Sequence, residues 1–487
     1  MAANKALDVR PVLHIVGMLL VTLGGFMFVP GILDLIQKTA NQHAFFSSAL
    51  VTVVTGVTLI FAFRGDIKRI NVRQTYLLTT LAWVSCSAFG ALPFMFAGTH
   101  LRYVDAFFES MSGLSTTGAT VITGLNGMNE GILLWRALLN WIGGIGIVAM
   151  AIIVLPVLRV GGMQAFRTES SERSEKLMPS ARGLSGMMLS IYVALSFASM
   201  IGFMLAGMPM FDAICHAMSA LSTGGFSTKD ESLGYFQSFA VDWVATASMI
   251  AGAVPLLWWV VLARRRSGAR RSNSQVTTLL CVLAAVSGAM TLWAWTHTDL
   301  PFFAALTHAT TNVTSIITAT GFVTTDYGQW GTFALVGFFL CYFIGGCTGS
   351  TSGSIKIFRW EILARAVRAQ LRLMLHPHRV AVILYEGKIL EKDVVDSVIS
   401  FFFTYVVTFA ILSAVVSAFG ADFISSVSGV ATALAGAGPG LGEVVGPAGT
   451  FAPLSDGAKW TLSLGMLLGR LELFTVYMLL TRSFWRP

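Results

Sequence analysis

The sequence is short of charge. Lys, Arg, Asp and Glu make up only 11% of its 487 residues, against 55% hydrophobic types, too few to clothe a water-soluble surface of this size. Cysteine is scarce as well. Cys86, Cys215, Cys281, Cys341 and Cys347 are an odd count without paired or metal-ligand spacing, which argues against a disulfide framework, a zinc site or haem attachment and leaves free packing thiols. No convergent nucleophile and base can be picked out, so a membrane-embedded enzyme is set aside. The excess of 32 Lys and Arg over 24 Asp and Glu does not point to nucleic acid, because the basic residues fall between apolar runs and gather on no polar domain.

What the chain has in abundance is apolar length. Its mean hydropathy is +0.73, and ten stretches can cross a hydrocarbon core of roughly 30 Å, which takes about 20 helical residues. They are 12–33, 44–63, 75–98, 137–158, 184–207, 243–263, 276–296, 330–355, 397–420 and 460–481. The first is kept as a span because its apolar run exceeds the core of a secretory signal and no small-residue cleavage site follows. Alternate loops carry the basic residues. Lys5 and Arg10, Arg64 with Lys68, Arg69 and Arg73, Arg159, Arg167, Arg173, Lys176 and Arg182, the run Arg264, Arg265, Arg266, Arg270 and Arg271, the stretch 356–392, and Arg482 with Arg486 all fall on one side. The positive-inside rule makes that side the cytoplasm and puts both termini there. The other loops hold only Lys38, Arg102, Lys229 and Lys459.

One polar segment recurs along the chain as an internal repeat. The segment 111–120, MSGLSTTGAT, aligns without a gap on 218–227, MSALSTGGFS; a third copy at 315–324 reads SIITATGFVT, and a weaker fourth at 434–441 reads LAGAGPGL. The anchor glycines are Gly118, Gly225, Gly321 and Gly438. They stand 107, 96 and 117 residues apart (225 − 118, 321 − 225, 438 − 321), room for two spans and a loop in each unit. The predicted fold is an all-α polytopic membrane protein of four pseudo-repeated helix, pore loop, helix units plus an extra N-terminal helix pair. The expected divisions are 1–74 for the pair, then 75–183, 184–275, 276–393 and 394–487 for the four units.

Each anchor glycine follows an apolar stretch too short to cross. Asp105 and Asp212 stand 13 residues before their glycines and Asp422 stands 16 before the fourth, so these aspartates read as N-caps of short helices that stop part-way down. The third copy lacks the Asp. A half-helix ending inside the membrane aims the negative end of its dipole at the centre and favours a cation there. Non-helical backbone at that depth is tolerated where it is buried or lines a water-filled cavity, and glycine reaches the angles that turn carbonyls inward. Four such loops about one axis make a selectivity filter of backbone carbonyls. Its expected residues are Thr116, Thr117, Gly118, Thr223, Gly224, Gly225, Ala319, Thr320, Gly321, Ala437 and Gly438. Taken singly, each segment also fits a small-residue helix contact or an ordinary turn; four copies at similar spacing favour the filter.

Two further features are unusual in a bilayer. Gly345, Gly346, Gly349, Ser350, Thr351, Ser352 and Gly353 interrupt the eighth stretch with poor helix formers. Gly345, Gly349 and Gly353 are spaced by four, as in a small-residue packing stripe, but an intramembrane gate below the filter is the favoured reading, with Lys356 at its end. The run is not a nucleotide-binding P-loop, since Gly and Lys are not adjacent. Arg470 lies about ten residues into the last stretch, roughly 15 Å deep at 1.5 Å per residue, and an intramembrane charge is a functional-site candidate. Glu472 is a possible partner, although residues two apart do not share a helix face. His216 and His308 fall in the second and third half-helices without a second ligand at metal spacing, so packing is expected of them.

These motifs resemble those of the TrkH and KtrB superfamily of potassium uptake proteins. The resemblance rests on the three Ser/Thr-Gly loops, on WIGGIG at 141–146, on GGCTGSTSGSIK at 345–356 and on LGRLE at 468–472. The N-terminal pair and the Gly438-Pro439-Gly440 run resemble the TrkH branch. The family pattern has an Asn just ahead of that run, where this sequence has Ala435, Gly436 and Ala437. The resemblance covers nearly the whole chain. It implies a homodimer in the bacterial inner membrane, no cofactor, potassium as the transported ion at the filter carbonyls, and a cytoplasmic nucleotide-binding regulator of the TrkA type. A symporter coupling potassium to sodium or protons is the alternative; broken helices with midplane carboxylates would be its signature, and few acids lie near the loops.

Overall fold

The computed structural model describes residues 7–39, 41–64, 70–99, 101–153, 181–263, 273–378 and 382–486. Among them, seven helices are long and apolar enough to cross a bilayer: Arg10–Ile36, Gln42–Ala62, Val72–Phe96, Glu130–Val148, Gly186–Leu205, Ser274–His297 and Lys392–Ala418. Their outward faces carry apolar side chains such as Leu50, Leu292 and Phe403, each more than half exposed. Such a surface is stable against lipid and unstable against water. The chain is a multi-pass membrane protein, mostly helical over the described residues. Of the basic residues used for orientation, Lys5, Lys68, Arg69, Arg159, Arg167, Arg173, Lys176 and the Arg264 to Arg271 run lie outside the described residues.

Three of the ten expected stretches are not continuous helices. The sixth breaks into Phe239–Ala253 and Leu256–Ala263, bent by 97°. Val254 is extended there, the conformation favoured in front of proline, and Pro255 has no N–H to continue the ladder. The eighth is helical only over Thr332–Cys341, and residues 342–356 run as turns and irregular backbone. The tenth breaks into Asp456–Arg470 and Leu473–Leu480, bent by 112°, with Glu472 at φ 60° between them. Backbone groups freed by one break are taken up by another. Cys347 N donates to Ala253 O at 3.0 Å, and Leu256 N donates to Gly349 O at 3.1 Å, which is how irregular backbone survives away from water.

Four shorter helices, Tyr103–Leu114, Met210–Leu221, Phe302–Ile317 and Phe423–Ala435, lie inside the bundle and are too short to cross it. Nearly every residue in the second half of each is buried. The first two helices of the chain pack on each other through small residues. A Cβ on Gly17 would fall 2.7 Å from Gly56 O, and one on Gly56 would fall 2.7 Å from Gly17 O, so any larger residue would separate the helices. Beyond the helices, Leu384–Tyr385 and Lys388–Ile389 form a small antiparallel hairpin.

Candidate functional site

The four short helices end alike. The residue after each helix turn has positive φ: Thr116 at 52°, Thr223 at 52°, Ala319 at 56° and Gly436 at 73°. The next N–H reaches back five residues, from Thr117 to Ser112 O, Gly224 to Ser219 O and Thr320 to Ser315 O at 2.8 Å, and from Ala437 to Thr432 O at 3.1 Å. This is the left-handed helix stop that satisfies otherwise orphaned carbonyls. Three of the four residues in that conformation are not glycine, so each carries strain of about 1–3 kcal/mol that its surroundings must hold. At Gly436 the fourth loop keeps the same turn without the strain, because Gly and Asn are the residues that tolerate this region.

Two residues later the chain turns left-handed again, at Gly118 (φ 85°), Gly225 (71°), Gly321 (101°) and Gly438 (81°). These glycines close a ring. A Cβ on Gly321 would lie 2.8 Å from Ala437 O, and one on Gly438 would lie 3.1 Å from Thr117 O; on Gly118 it would strike Gly224 O, and on Gly225 Thr320 O, closer still. Each loop therefore abuts the carbonyl just before the anchor glycine of the next loop, and the fourth returns to the first. Helices behind the loops make room in the same way. A Cβ on Gly143, Gly252 or Gly469 would collide with Leu114 O, Leu221 O or Leu434 O, the last residue of the first and second short helices and the last but one of the fourth.

The expected caps are corrected in part. Asp422 is an N-cap and accepts from Ser425 N at 3.0 Å; hydrogen bonds from Ser425 hold its carboxyl below the ordinary carboxylate range. Asp105 and Asp212 are instead the third residues of their helices, where Arg102 and Pro209 take the cap position. They remain in the first turn, matched to the helix dipole, and are anchored by other segments. Lys459 Nζ donates to Asp105 at 2.6 Å, and Thr228 Oγ1 donates to Asp212 at 2.6 Å.

Sequence reasoning missed how the limbs after the ring are held. Glu109, His216 and Asn312 occupy one register in the first three short helices, 107 and 96 residues apart (216 − 109, 312 − 216), the same spacing as the glycines. Each reaches the limb 11 or 12 residues later. Glu109 accepts from Val121 N at 2.9 Å and from Thr120 Oγ1 at 3.0 Å. His216 Nε2 pairs with Ser227 Oγ at 2.9 Å, while its Nδ1 meets Asp212 O at 2.8 Å. Asn312 accepts from Thr324 N at 3.1 Å and donates to Thr324 Oγ1 at 3.0 Å. In the fourth helix Ser428 accepts from Leu441 N at 2.9 Å. The shared spacing was a visible signal, masked because the three side chains differ.

Residues 345–356 cross directly against the ring. Thr351 Oγ1 donates to Leu221 O and Gly252 O at 3.0 Å and lies 3.3 Å from Thr223 Oγ1. Ser350 Oγ donates to Cys347 O at 2.6 Å, and Gly346 N to Ser352 Oγ at 3.0 Å. Gly345 N donates to Ile355 O at 2.9 Å, and Lys356 Nζ donates to Ser352 O. A Cβ on Gly353 would collide with Ala435 O, so the segment meets the second and fourth loops at once. Since no helix runs through it, the four-residue spacing of Gly345, Gly349 and Gly353 marks no helical packing stripe. Arg470 is buried at the helix break and donates through Nη2 to Thr116 Oγ1 at 2.5 Å and to Thr351 O at 2.6 Å. Glu472 is not its partner. The bend turns Glu472 to Arg359, 2.6 Å away, whose guanidinium also lies 3.7 Å over the Phe401 ring.

A family model described as "TrkH: Cation transport protein" matches residues 41–485. The chain belongs to the TrkH family. The TrkH-family relatives include the Trk system potassium uptake protein TrkI of Halomonas elongata, 40% identical over 98% of this chain and 97% of that protein. The Trk system potassium uptake protein TrkH of Vibrio parahaemolyticus is 34% identical over 98% and 99%. The crystal structure of the potassium transporter TrkH from Vibrio parahaemolyticus matches with a TM-score of 0.91 at 34% identity, covering 99% of this chain and all of that one. TrkH proteins are transport proteins, not enzymes. Among the described residues no group of three or more His, Cys, Asp or Glu side chains could hold a metal ion.

Proposed function

We propose that this chain takes up potassium across a bacterial inner membrane through the ring of four loops. The observation that carries this reading is the closure itself, in which Gly118, Gly225, Gly321 and Gly438 each abut the carbonyl of Gly224, Thr320, Ala437 or Thr117 in the next loop. Backbone oxygens of Thr116, Thr117, Gly118, Thr223, Gly224, Gly225, Ala319, Thr320, Gly321, Ala437 and Gly438 replace the ion's water. Uncharged dipoles in such a ring bind a monovalent cation firmly enough to enter and loosely enough to leave. Four short-helix C-termini add negative potential at the same place.

Passage is controlled by Gly345, Gly346, Gly349, Ser350, Thr351, Ser352 and Gly353, held shut by Arg470 and steadied by Lys356. A guanidinium beside the ring repels cations, and opening moves the segment and Arg470 aside together. The functional units are the N-terminal pair 1–74 and four repeats 75–183, 184–275, 276–393 and 394–487, with both termini cytoplasmic. Two copies assemble in the membrane, and a nucleotide-binding cytoplasmic regulator of the TrkA type acts on the gate; the relatives' designation as Trk system proteins supports a multi-component assembly.

The test is flux of rubidium or potassium into liposomes holding the purified protein, with and without sodium. Potassium-selective flux whose current reverses at the potassium equilibrium potential is expected. A reversal displaced by the sodium or proton gradient would replace the channel-like reading with coupled symport, and equal sodium and potassium flux would overturn the filter.

A further inference from the structure

The limbs of the first two loops are joined by a buried ion pair that no function above uses. Glu109 is fully buried and Arg136 is 1% exposed, and Arg136 Nε meets Glu109 Oε1 at 2.8 Å. Each partner also holds backbone or hydroxyl groups just past an anchor glycine. Glu109 takes Val121 N and Thr120 Oγ1 of the first limb. Arg136 Nη1 donates to Ser227 O of the second limb at 2.7 Å, Nη2 donates to Thr120 Oγ1 at 3.2 Å, and the guanidinium covers the Phe226 ring at 4.2 Å. Two more bonds extend the frame. Phe451 N, from the fourth unit, donates to Thr120 O at 2.9 Å, and His216 secures Ser227 through its hydroxyl at 2.9 Å. Thr120 and Ser227 stand two residues beyond Gly118 and Gly225, so a shift in either passes straight into the ring.

Burying two charges is costly, and such a pair is weak evidence for stability in itself. What it supplies is placement, because charge-assisted and forked hydrogen bonds fix direction as well as distance. Its charges cancel, so it contributes little net field to a passing cation. We propose that Glu109 and Arg136 form a positioning pair that sets the spacing of the first and second loops and thereby the discrimination of potassium from sodium. The inference rests on the filter reading. Neither residue touches the ion.

Two substitutions separate reach from charge. Glu109→Asp keeps the charge but shortens the side chain by one methylene, withdrawing it from Val121 N and Thr120. Glu109→Gln keeps the length and an acceptor for the limb but leaves the charge of Arg136 uncancelled. Each is reconstituted as the full chain in liposomes after its elution profile in detergent is matched to the parent, and initial rates of rubidium and sodium entry are compared. Glu109→Asp is expected to raise the sodium-to-rubidium ratio about tenfold, the order produced by losing one net hydrogen bond's worth of preference. Glu109→Gln is expected to lower both rates while leaving their ratio within about twofold. An unchanged ratio in Glu109→Asp overturns the proposal, as does a ratio that moves with Glu109→Gln and not with Glu109→Asp, which would make the effect electrostatic. If Glu109→Gln does not fold, Glu109→Asp decides alone. Gly225→Ala in the same assay keeps the two readings apart: a parental ratio there condemns the filter, whereas a shifted ratio with Glu109→Asp at the parental value condemns only the positioning pair.

Discussion

Arg470 and Thr116 meet at 2.5 Å, joining the end of the helix Asp456–Arg470 to the first left-handed residue after the helix Tyr103–Leu114. The same Nη2 donates to Thr351 O at 2.6 Å. One guanidinium thus bridges the ring and the segment lying against it.

Replacing Arg470 by Gln should therefore loosen the segment. A hydrogen bond to a charged group contributes about 1.5–3 kcal/mol, so basal rubidium flux without a regulator is expected to rise by about tenfold or more. Flux assays on proteoliposomes of matched protein content measure it directly; an unchanged or lower rate in a folded variant would remove Arg470 from the gate.

Deleting residues 346–353 tests the segment itself. The hydrogen bonds it makes with Ala253, Gly252 and Leu221 would be lost, and under the proposed gating the passage beside the ring would open. Higher basal potassium flux than the parent is expected with ion preference retained, because the ring does not include these residues. A deletion variant that reaches the membrane and conducts no faster would show that 345–356 is packing alone.

The anchor glycines should not be equally sensitive. A Cβ at Gly225 would collide hard with Thr320 O, whereas at Gly438 it would lie 3.1 Å from Thr117 O and from Gly321 Cα, a contact that small shifts relieve. All four also need positive φ, which costs an L-residue about 1 kcal/mol or more. Alanine at Gly225 is expected to abolish selective uptake, and alanine at Gly438 to be the mildest of the four, measured by growth at limiting potassium and by sodium competition.

Arg359 and Glu472 form a buried pair 2.6 Å apart at the bend of the last broken helix. Glu472→Ala leaves the Arg359 charge buried, and breaking a buried pair from one side costs roughly 3–5 kcal/mol. A clear fall in the thermal unfolding midpoint in detergent is expected. Removing both charges, with Arg359→Met and Glu472→Leu, should restore much of the loss; failure of the double variant to recover would show that the pair is needed for more than neutralisation.

Much of this was legible in the residues because it is local. The MSGLSTTGAT and MSALSTGGFS copies encode the same helix stop and the same left-handed glycine wherever they fold, and the spacing of Gly118, Gly225, Gly321 and Gly438 survives any arrangement of the bundle. Less legible were the interruptions. Apolar length alone made one helix of 243–263, although Pro255 stood inside it, and made Glu472 a neighbour of Arg470 when the bend sends it to Arg359.

By itself the sequence determined membrane residence, through apolar runs that no polar surface could clothe, and the fourfold recurrence of a short helix followed by a turn, since backbone preference and hydropathy act over a few residues. Only the tertiary structure decided which carbonyl each glycine faces, that Glu109 of one loop shares Arg136 with Ser227 of the next, and that Arg470 reaches both Thr116 and Thr351. Those contacts join residues from 27 to 354 positions apart, and their direction depends on how helices cross and bend, which is set by packing across the whole bundle.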